Sequence, residues 1–240
     1  MKTLDSLKVK LFVDTADFAR IQKFAQMPQI AGFTTNPSLM RKSGAADYEE
    51  YARKILTAVP RHEVAVEVIS DDLAEMEAQA RVIATWGKNV NVKIPVTNAK
   101  GEFTGPIIKR LSAAGVHLNV TVVFTVEQVR AVAACLSPET PSIVSVFAGR
   151  IADTGVDPLP IVKEALAILA PNPKARVIWA STRGLLHLVQ ADEIGCHIIT
   201  VPPDVLDKLP LYGKDLTAYS LEGVQAFARD IAAANFKMRL

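Results

Sequence analysis

Eight short runs rich in Val and Ile punctuate the chain, and the polar residues inside them tend to fall two apart. The runs are KLFVDT (10–15), GFTTN (32–36), EVAVEVI (63–69), VNVKIPV (90–96), HLNVTVVF (117–124), SIVSVFAG (142–149), RVIWAST (176–182) and HIITVP (197–202). β-Branched residues favour a pleated chain, so each run reads as a strand. Between them lie segments with apolar residues three and four apart, among them DFARIQKFAQ, DYEEYARKILTAV, DLAEMEAQARVIATWG and VEQVRAVAACL. That spacing predicts amphipathic helices. Strand starts lie roughly 20 to 35 residues apart, the length of a right-handed βα crossover, so successive strands are expected to be parallel and covered on both faces. Eight such units most naturally close into one α/β domain over residues 1–240, a (β/α)8 TIM barrel. An open doubly wound sheet is the competing architecture, but VDTAD stands after the first strand where a GxGxxG phosphate turn belongs. A ninth pattern, SLEGVQAFARDIAAANF (220–236), predicts an extra C-terminal helix within an extension over 207–240. Its apolar stripe is Leu221, Val224, Phe227, Ile231 and Phe236, with Ser220 as N-cap. With no strand to cover, this helix packs either across the barrel mouth or onto a neighbouring subunit.

Composition narrows the class. Half the residues are hydrophobic, 22% are charged and the formal net charge is +2, which describes a globular chain with no strong charge bias. Lys and Arg are scattered and nearly balanced by Asp and Glu, so no nucleic-acid partner is expected. Cys135 and Cys196 are far apart and neither sits in a CxxC, so neither a disulfide nor a metal site is implied and a reduced, cytoplasmic setting fits. The opening MKTLDSLKVKLFVD is interrupted by Asp5, Lys8 and Lys10 before an apolar run becomes long enough for a signal peptide. No window approaches the roughly 20 apolar residues of a membrane span, so no membrane association is expected.

The chemistry lies in the polar residues embedded in these apolar strands. Asp14 ends the first run, Thr34 and Asn36 share a face of the second, Glu67 interrupts the third and Lys93 the fourth. Asn119 and Thr121 share a face of the fifth, Ser145 lies two before Phe147 in the sixth, and Ser181 two before Arg183 in the seventh. Each set falls near the C-terminal end of its strand, where barrel enzymes place reacting groups drawn from several strands. Taken singly, Thr34, Thr121, Ser145 and Ser181 read as satisfied core hydroxyls. Asp14 and Glu67 read as structural partners of Lys93, and Arg150 as a solvated loop residue. Taken together they carry more, because burying a cation, two carboxylates and two amides costs several kcal/mol unless all are paired. A lysine held out of water loses stabilisation of its charged form, and its free amine is a nucleophile for a ketone. Schiff-base chemistry uses that amine. Glu67, through a water held by Thr121, suits the proton shuttling at a carbinolamine, and Asp14 suits abstraction of a hydroxyl proton during carbon–carbon cleavage. Arg150 and Arg183 are fork-shaped and charged at any working pH, which suits an anionic end group. Asn36, Asn119 and Ser145 offer hydrogen bonds to a polyol.

The segments LFVDTAD, GFTTNPSL, VAVEV, NVKIPVT, LNVTVVFT, SVFAGR, WASTR and IITVPPDVL run from residue 11 to residue 206. In that order they resemble the transaldolase family, in its short branch related to bacterial fructose 6-phosphate aldolases. TTNPS, the VKIP lysine and the NVT segment together carry the resemblance. It implies a (β/α)8 barrel with Lys93 as the Schiff-base lysine, Asp14 as general base, and Glu67 with Thr121 holding a catalytic water. It also implies Asn36, Asn119 and Ser145 on a dihydroxyacetone moiety, with Arg150, Ser181 and Arg183 on phosphate, and no cofactor. Members that transfer resemble one another in having Glu on the third strand and Phe three before the phosphate arginine, whereas the aldolase branch has Gln and Tyr. Here those residues are Glu67 and Phe147.

The activity this implies is transfer of a dihydroxyacetone unit from a ketose phosphate, fructose 6-phosphate or sedoheptulose 7-phosphate, to an aldose phosphate. The alternatives are a fructose 6-phosphate aldolase, a transaldolase for another anionic ketose, and a sugar-phosphate binding protein outside the enzymes. The short branch implies a homo-oligomer, pentamer or decamer, whose C-terminal helix crosses to a neighbour. Departures from the family pattern are the longer loops in TNAKGEFTGPIIKRL and GRIADTGVDPLP, Val146 where proline is common, and Trp179 and Thr182 flanking the seventh strand's end. His62, His117, His187 and His197 are isolated, without metal-ligand spacing, and attract no role.

Overall fold

The computed structural model describes residues 6–234 and Met238. Eight parallel strands close in sequence order into a barrel: β1 (Lys10–Asp14), β2 (Ile30–Thr34), β3 (Glu63–Glu67), β4 (Val90–Pro95), β5 (Leu118–Val123), β6 (Ser142–Val146), β7 (Ala175–Trp179) and β8 (Ile198–Val201). Closure comes from β8 pairing with β1, Phe12 lying beside Thr200. The helices are α1 (Phe18–Phe24), α2 (Pro37–Lys42), α3 (Tyr48–Ala58), α4 (Leu73–Ile83), α5 (Gly105–Ala113), α6 (Val126–Ala133), α7 (Ala148–Asp153), α8 (Leu159–Leu169), α9 (Leu185–Glu193), α10 (Pro203–Leu206) and α11 (Leu216–Ala234). The open-sheet alternative is thereby excluded.

Local chemistry starts many of these helices. Asp17, Asp47 and Asp72 stand just before α1, α3 and α4, and each side chain accepts a backbone N–H from the first turn. Thr125 and Gln128 form a reciprocal capping box at α6. The outward strand residues, Val13, Val66, Val92, Val120, Val144 and Val177 among them, bury against the helices in one continuous apolar layer. The barrel interior holds a much smaller apolar cluster of Phe12, Ile143, Ile178, Ala180 and Ile198. Gly32 admits Phe12 to that space, since a Cβ there would lie 2.7 Å from the Phe12 ring. Below the cluster, Arg176 reaches across to Glu63 with paired bonds of 2.8 and 2.6 Å, and Asn91 adds a third at 2.9 Å. Above it the interior turns polar.

Four local features differ from the sequence reading, the first being that β6 ends at Val146, so Phe147 is the N-cap of α7 and does not share a strand face with Ser145. The second strand spans Ile30–Thr34, so Asn36 lies beyond it as the N-cap of α2 and does not share a strand face with Thr34. β7 ends at Trp179, and Ser181 has a left-handed backbone (φ 64), so strand alternation does not relate it to Arg183. The C-terminal helix begins at Leu216, four residues before Ser220, because Asp215 caps it by accepting the Ala218 N–H at 2.8 Å. Phe236 lies outside the described residues. No residue of α11 is buried, so it does not pack across the barrel mouth.

Candidate active site

Inward-facing residues near the C-terminal ends of the strands surround a cavity of about 250 Å³. Its walls include Asp14, Thr34, Asn36, Lys93, Thr121 and Ser145. Register explains the convergence. Glu67, Lys93 and Asn119 are direct neighbours across β3, β4 and β5, and Asp14 sits beside Thr34 across β1 and β2. Phe147, Arg150, Ser181 and Arg183 complete the rim. Two expected site residues, Glu67 and Asn119, are not among those that line the cavity; Glu67 is bonded to Lys93 and Asn119 to Ser145, which do line it.

Lys93 is 7% exposed, and its Nζ donates to Glu67 Oε2 and to the Thr35 carbonyl, both at 3.0 Å. The second contact turns an otherwise ordinary backbone oxygen into part of the lysine's cradle. Glu67 is itself pinned at its backbone, where Tyr48 Oη donates to the carbonyl at 2.6 Å. Burial, then the nearby Glu67 charge, push the Tyr48 phenol well above its usual range, so it stays a donor. Asp14 accepts from Thr34 Oγ1 at 2.6 Å. Burial drives its carboxyl above the ordinary range, against the pull of the Lys93 charge and the Thr34 hydrogen bond.

On β5 and β6 the polar groups are left partly open. Ser145 Oγ donates to Asn119 Oδ1 at 2.6 Å, while Asn119 Nδ2 and Thr121 Oγ1 are buried and make no hydrogen bond within the protein. A buried donor without a partner costs about 1–3 kcal/mol, so these two atoms have hydrogen-bonding capacity to spare. A bulge after Thr121 sets the local geometry. Val120 and Val123 both face the helices, with Val122 between them at φ 62, a conformation rare for a β-branched residue.

The cationic rim has its own supports. The Arg150 guanidinium lies 5.1 Å from the centre of the Phe147 ring, and Phe147 also packs 5.7 Å from Phe124. Arg183 is held by Asp153 through Nε at 3.0 Å and Nη2 at 2.6 Å. That pair is roughly half exposed, so it orients more than it stabilises. Gly149 brings α7 against the loop after β7; a Cβ there would stand 1.5 Å from the Ser181 carbonyl oxygen. Among the described residues, no group of three His, Cys, Asp or Glu side chains is placed to hold a metal ion.

The sequence reading missed Thr200, Thr35, Tyr48 and Asp153 as contributors. Thr200 carried a usable signal, because it lies two after Ile198 and so faces inward by the rule that found the others. The partners of Tyr48 and Thr35 lie far along the chain, and nothing local announces them.

The fold and site together define a closed (β/α)8 barrel with a buried lysine–carboxylate pair at the C-terminal ends of its strands. The fold alone is shared with a solved dihydrodipicolinate synthase family protein from Coccidioides immitis, at a TM-score of 0.59 and 12% identity over 97% of this chain and 80% of that one. A family model described as "Transaldolase/Fructose-6-phosphate aldolase" matches residues 11–238. The chain is 38% identical over 199 residues to a "probable transaldolase" of Dehalococcoides mccartyi, covering 82% of this chain and 88% of the relative. It is 34% identical over 234 residues to "probable transaldolase 2" of Listeria monocytogenes, covering 95% and 99%. The chain therefore belongs to the transaldolase/fructose-6-phosphate aldolase family.

Proposed function

We propose that this protein is a transaldolase that moves a dihydroxyacetone unit between phosphorylated sugars through an imine on Lys93. The observation that carries the reading is the buried Lys93 amine on the cavity wall, 3.0 Å from the Glu67 carboxylate. Glu67 takes a proton from the ammonium, and the free amine attacks the donor's C2 carbonyl. Loss of water from the carbinolamine gives the iminium, with Glu67 and a water on Thr121 moving the protons. Asp14 then removes the C4 hydroxyl proton, the C3–C4 bond breaks and its electron pair passes into the iminium as an enamine. The aldose leaves. The enamine attacks an incoming aldehyde, Asp14 returns its proton to the new alkoxide, and hydrolysis frees Lys93.

Asn36, Asn119 and Ser145 bind the hydroxyls of the dihydroxyacetone unit, and Arg150, Ser181 and Arg183 bind phosphate. What supports the first set is the open Asn119 Nδ2 beside the Ser145–Asn119 bond. Phe147 has no hydroxyl with which to protonate the enamine, so the intermediate waits for an acceptor and transfer prevails over cleavage. In this reading residues 1–240 act as one domain, and α11 crosses to a neighbour in a pentamer or decamer.

The test is release of glyceraldehyde 3-phosphate from fructose 6-phosphate, with and without erythrose 4-phosphate, alongside borohydride trapping. Transfer requires release only with the acceptor, and a ketose-dependent adduct that disappears in Lys93→Ala. Equal release without acceptor makes the protein an aldolase. Adduct formation without release from this donor points to another ketose, and the absence of any adduct removes the imine mechanism.

A further inference from the structure

We propose that Thr200, on β8, is a positioning residue for Asp14, acting through Thr34 in a directional row of hydroxyls that keeps the carboxylate aimed and ionised. The inference rests on the reading of Asp14 as the general base. Thr34 Oγ1 makes two short contacts, 2.6 Å to Asp14 Oδ1 and 2.6 Å to Thr200 Oγ1. A hydroxyl has one proton, and an ionised carboxylate only accepts. The Thr34 proton therefore goes to Asp14, which leaves Thr34 Oγ1 to accept from Thr200.

Both threonines are nearly buried, Thr34 at 3% and Thr200 at 4% exposure, in the wall of the cavity. Successive hydrogen bonds in such surroundings polarise one another, and the outer hydroxyl strengthens the inner one. The row favours the ionised base, because only a charged Oδ1 that accepts from Thr34 keeps both links in this direction. The proton that Asp14 takes from the substrate sits on its substrate-facing side and returns from there to the new alkoxide. The side chain at position 200 must be able to donate to Thr34, which serine can do and valine cannot.

The other charges around Asp14 are Lys93 from β4, which favours its ionised form, and Glu67 from β3, which opposes it. Arg150 and Arg183 line the same cavity from α7 and the loop after β7. The Thr200 carbonyl accepts from Thr182 Oγ1 at 2.8 Å, a backbone contact that substituting the Thr200 side chain leaves in place.

The experiment measures kcat, KM and their pH profiles for Thr200→Val, Thr200→Ser, Thr34→Val and the Thr34→Val/Thr200→Val double variant, with the borohydride adduct quantified in each. Removing one buried hydrogen bond to this row is expected to lower kcat about tenfold with KM nearly unchanged. The acid limb of the profile should move to higher pH, and Thr200→Ser should restore both. In the Thr34→Val background, Thr200→Val should add no further loss. An unmoved acid limb, a serine variant that fails to restore, or equal losses in both backgrounds overturns the assignment. If the valine variant does not fold, Thr200→Ala against Thr200→Ser makes the same comparison. Adduct that persists in Thr200→Val separates the base step from imine formation. No adduct in the unaltered protein overturns the underlying imine reading, and the Thr200 assignment with it.

Discussion

Burial and chemistry pull Asp14 in opposite directions. The enclosed site lifts its carboxyl above the ordinary range, yet the proposed role as base requires it ionised. A folded pKa above the unfolded one means that the native state holds the proton more tightly. The associated stability is full below the ordinary value of 3.8 and is lost as pH rises through the raised folded value. Asp14→Asn is therefore expected to raise Tm at neutral pH, by roughly 2–4 °C for each kcal/mol recovered, with the gain fading in acid. The same change should cut turnover by about 10²-fold or more while the borohydride adduct still forms on Lys93. Calorimetry across pH and the trapping assay check the two halves separately, and a stabilised, fully active variant would remove Asp14 from the base role. The sequence exposed Asp14, Lys93 and Glu67 because charged groups inside Val-rich strands stand out. It did not expose the contacts that make them usable, since the Thr35 carbonyl and the Tyr48 hydroxyl meet the site only when distant elements close.

At the scale of elements, the two ends of the barrel interior do different work. The lower end is plugged by the Glu63–Arg176 pair with Asn91. Burial pushes the Glu63 carboxyl up, but the Arg176 hydrogen bonds and charge, with Asn91, bring it below its ordinary range. A depressed folded pKa means stability that is present above 4.5 and lost as pH falls through the folded value. Arg176→Leu is expected to cost about 1–3 kcal/mol at neutral pH, an unpaired and partly buried carboxylate being left behind, with the difference shrinking in acid. Denaturant titrations at two pH values measure it. The upper end depends on close approach: Gly149→Ala meets the Ser181 carbonyl oxygen and should cost about 1–3 kcal/mol by overpacking. It should raise KM for phosphorylated donors more than for free dihydroxyacetone, and an equal rise for both would detach this loop from phosphate binding. All eight strands were legible as β-branched runs; their ends were less so. β2 begins at Ile30, two residues before the run that the sequence marks, because Gly32 weakens the strand signal of Ile30 and Ala31. The Val122 bulge was illegible, because valine is among the residues least expected at positive φ.

At the scale of the whole molecule, α11 is the element that its own chain does not explain. Its nineteen residues carry Leu216, Leu221, Val224, Phe227 and Ile231, between 57% and 79% exposed. Most helical stability in proteins comes from an apolar face that is covered. The amphipathic pattern was legible, but a single chain's sequence does not say what covers it. The proposed oligomer supplies that cover. Phe227→Asp with Ile231→Asp places two charges in the stripe, where burying either unpaired costs several kcal/mol. Light scattering should show the variant at 26.0 kDa and the unaltered protein at a multiple of it, and circular dichroism should show loss of one helix in the variant. The barrel itself should melt cooperatively in both, since its apolar layer between strands and helices includes no residue of α11. An unaltered protein that already runs at 26.0 kDa would overturn the oligomer, and the helix would then have to find its cover elsewhere.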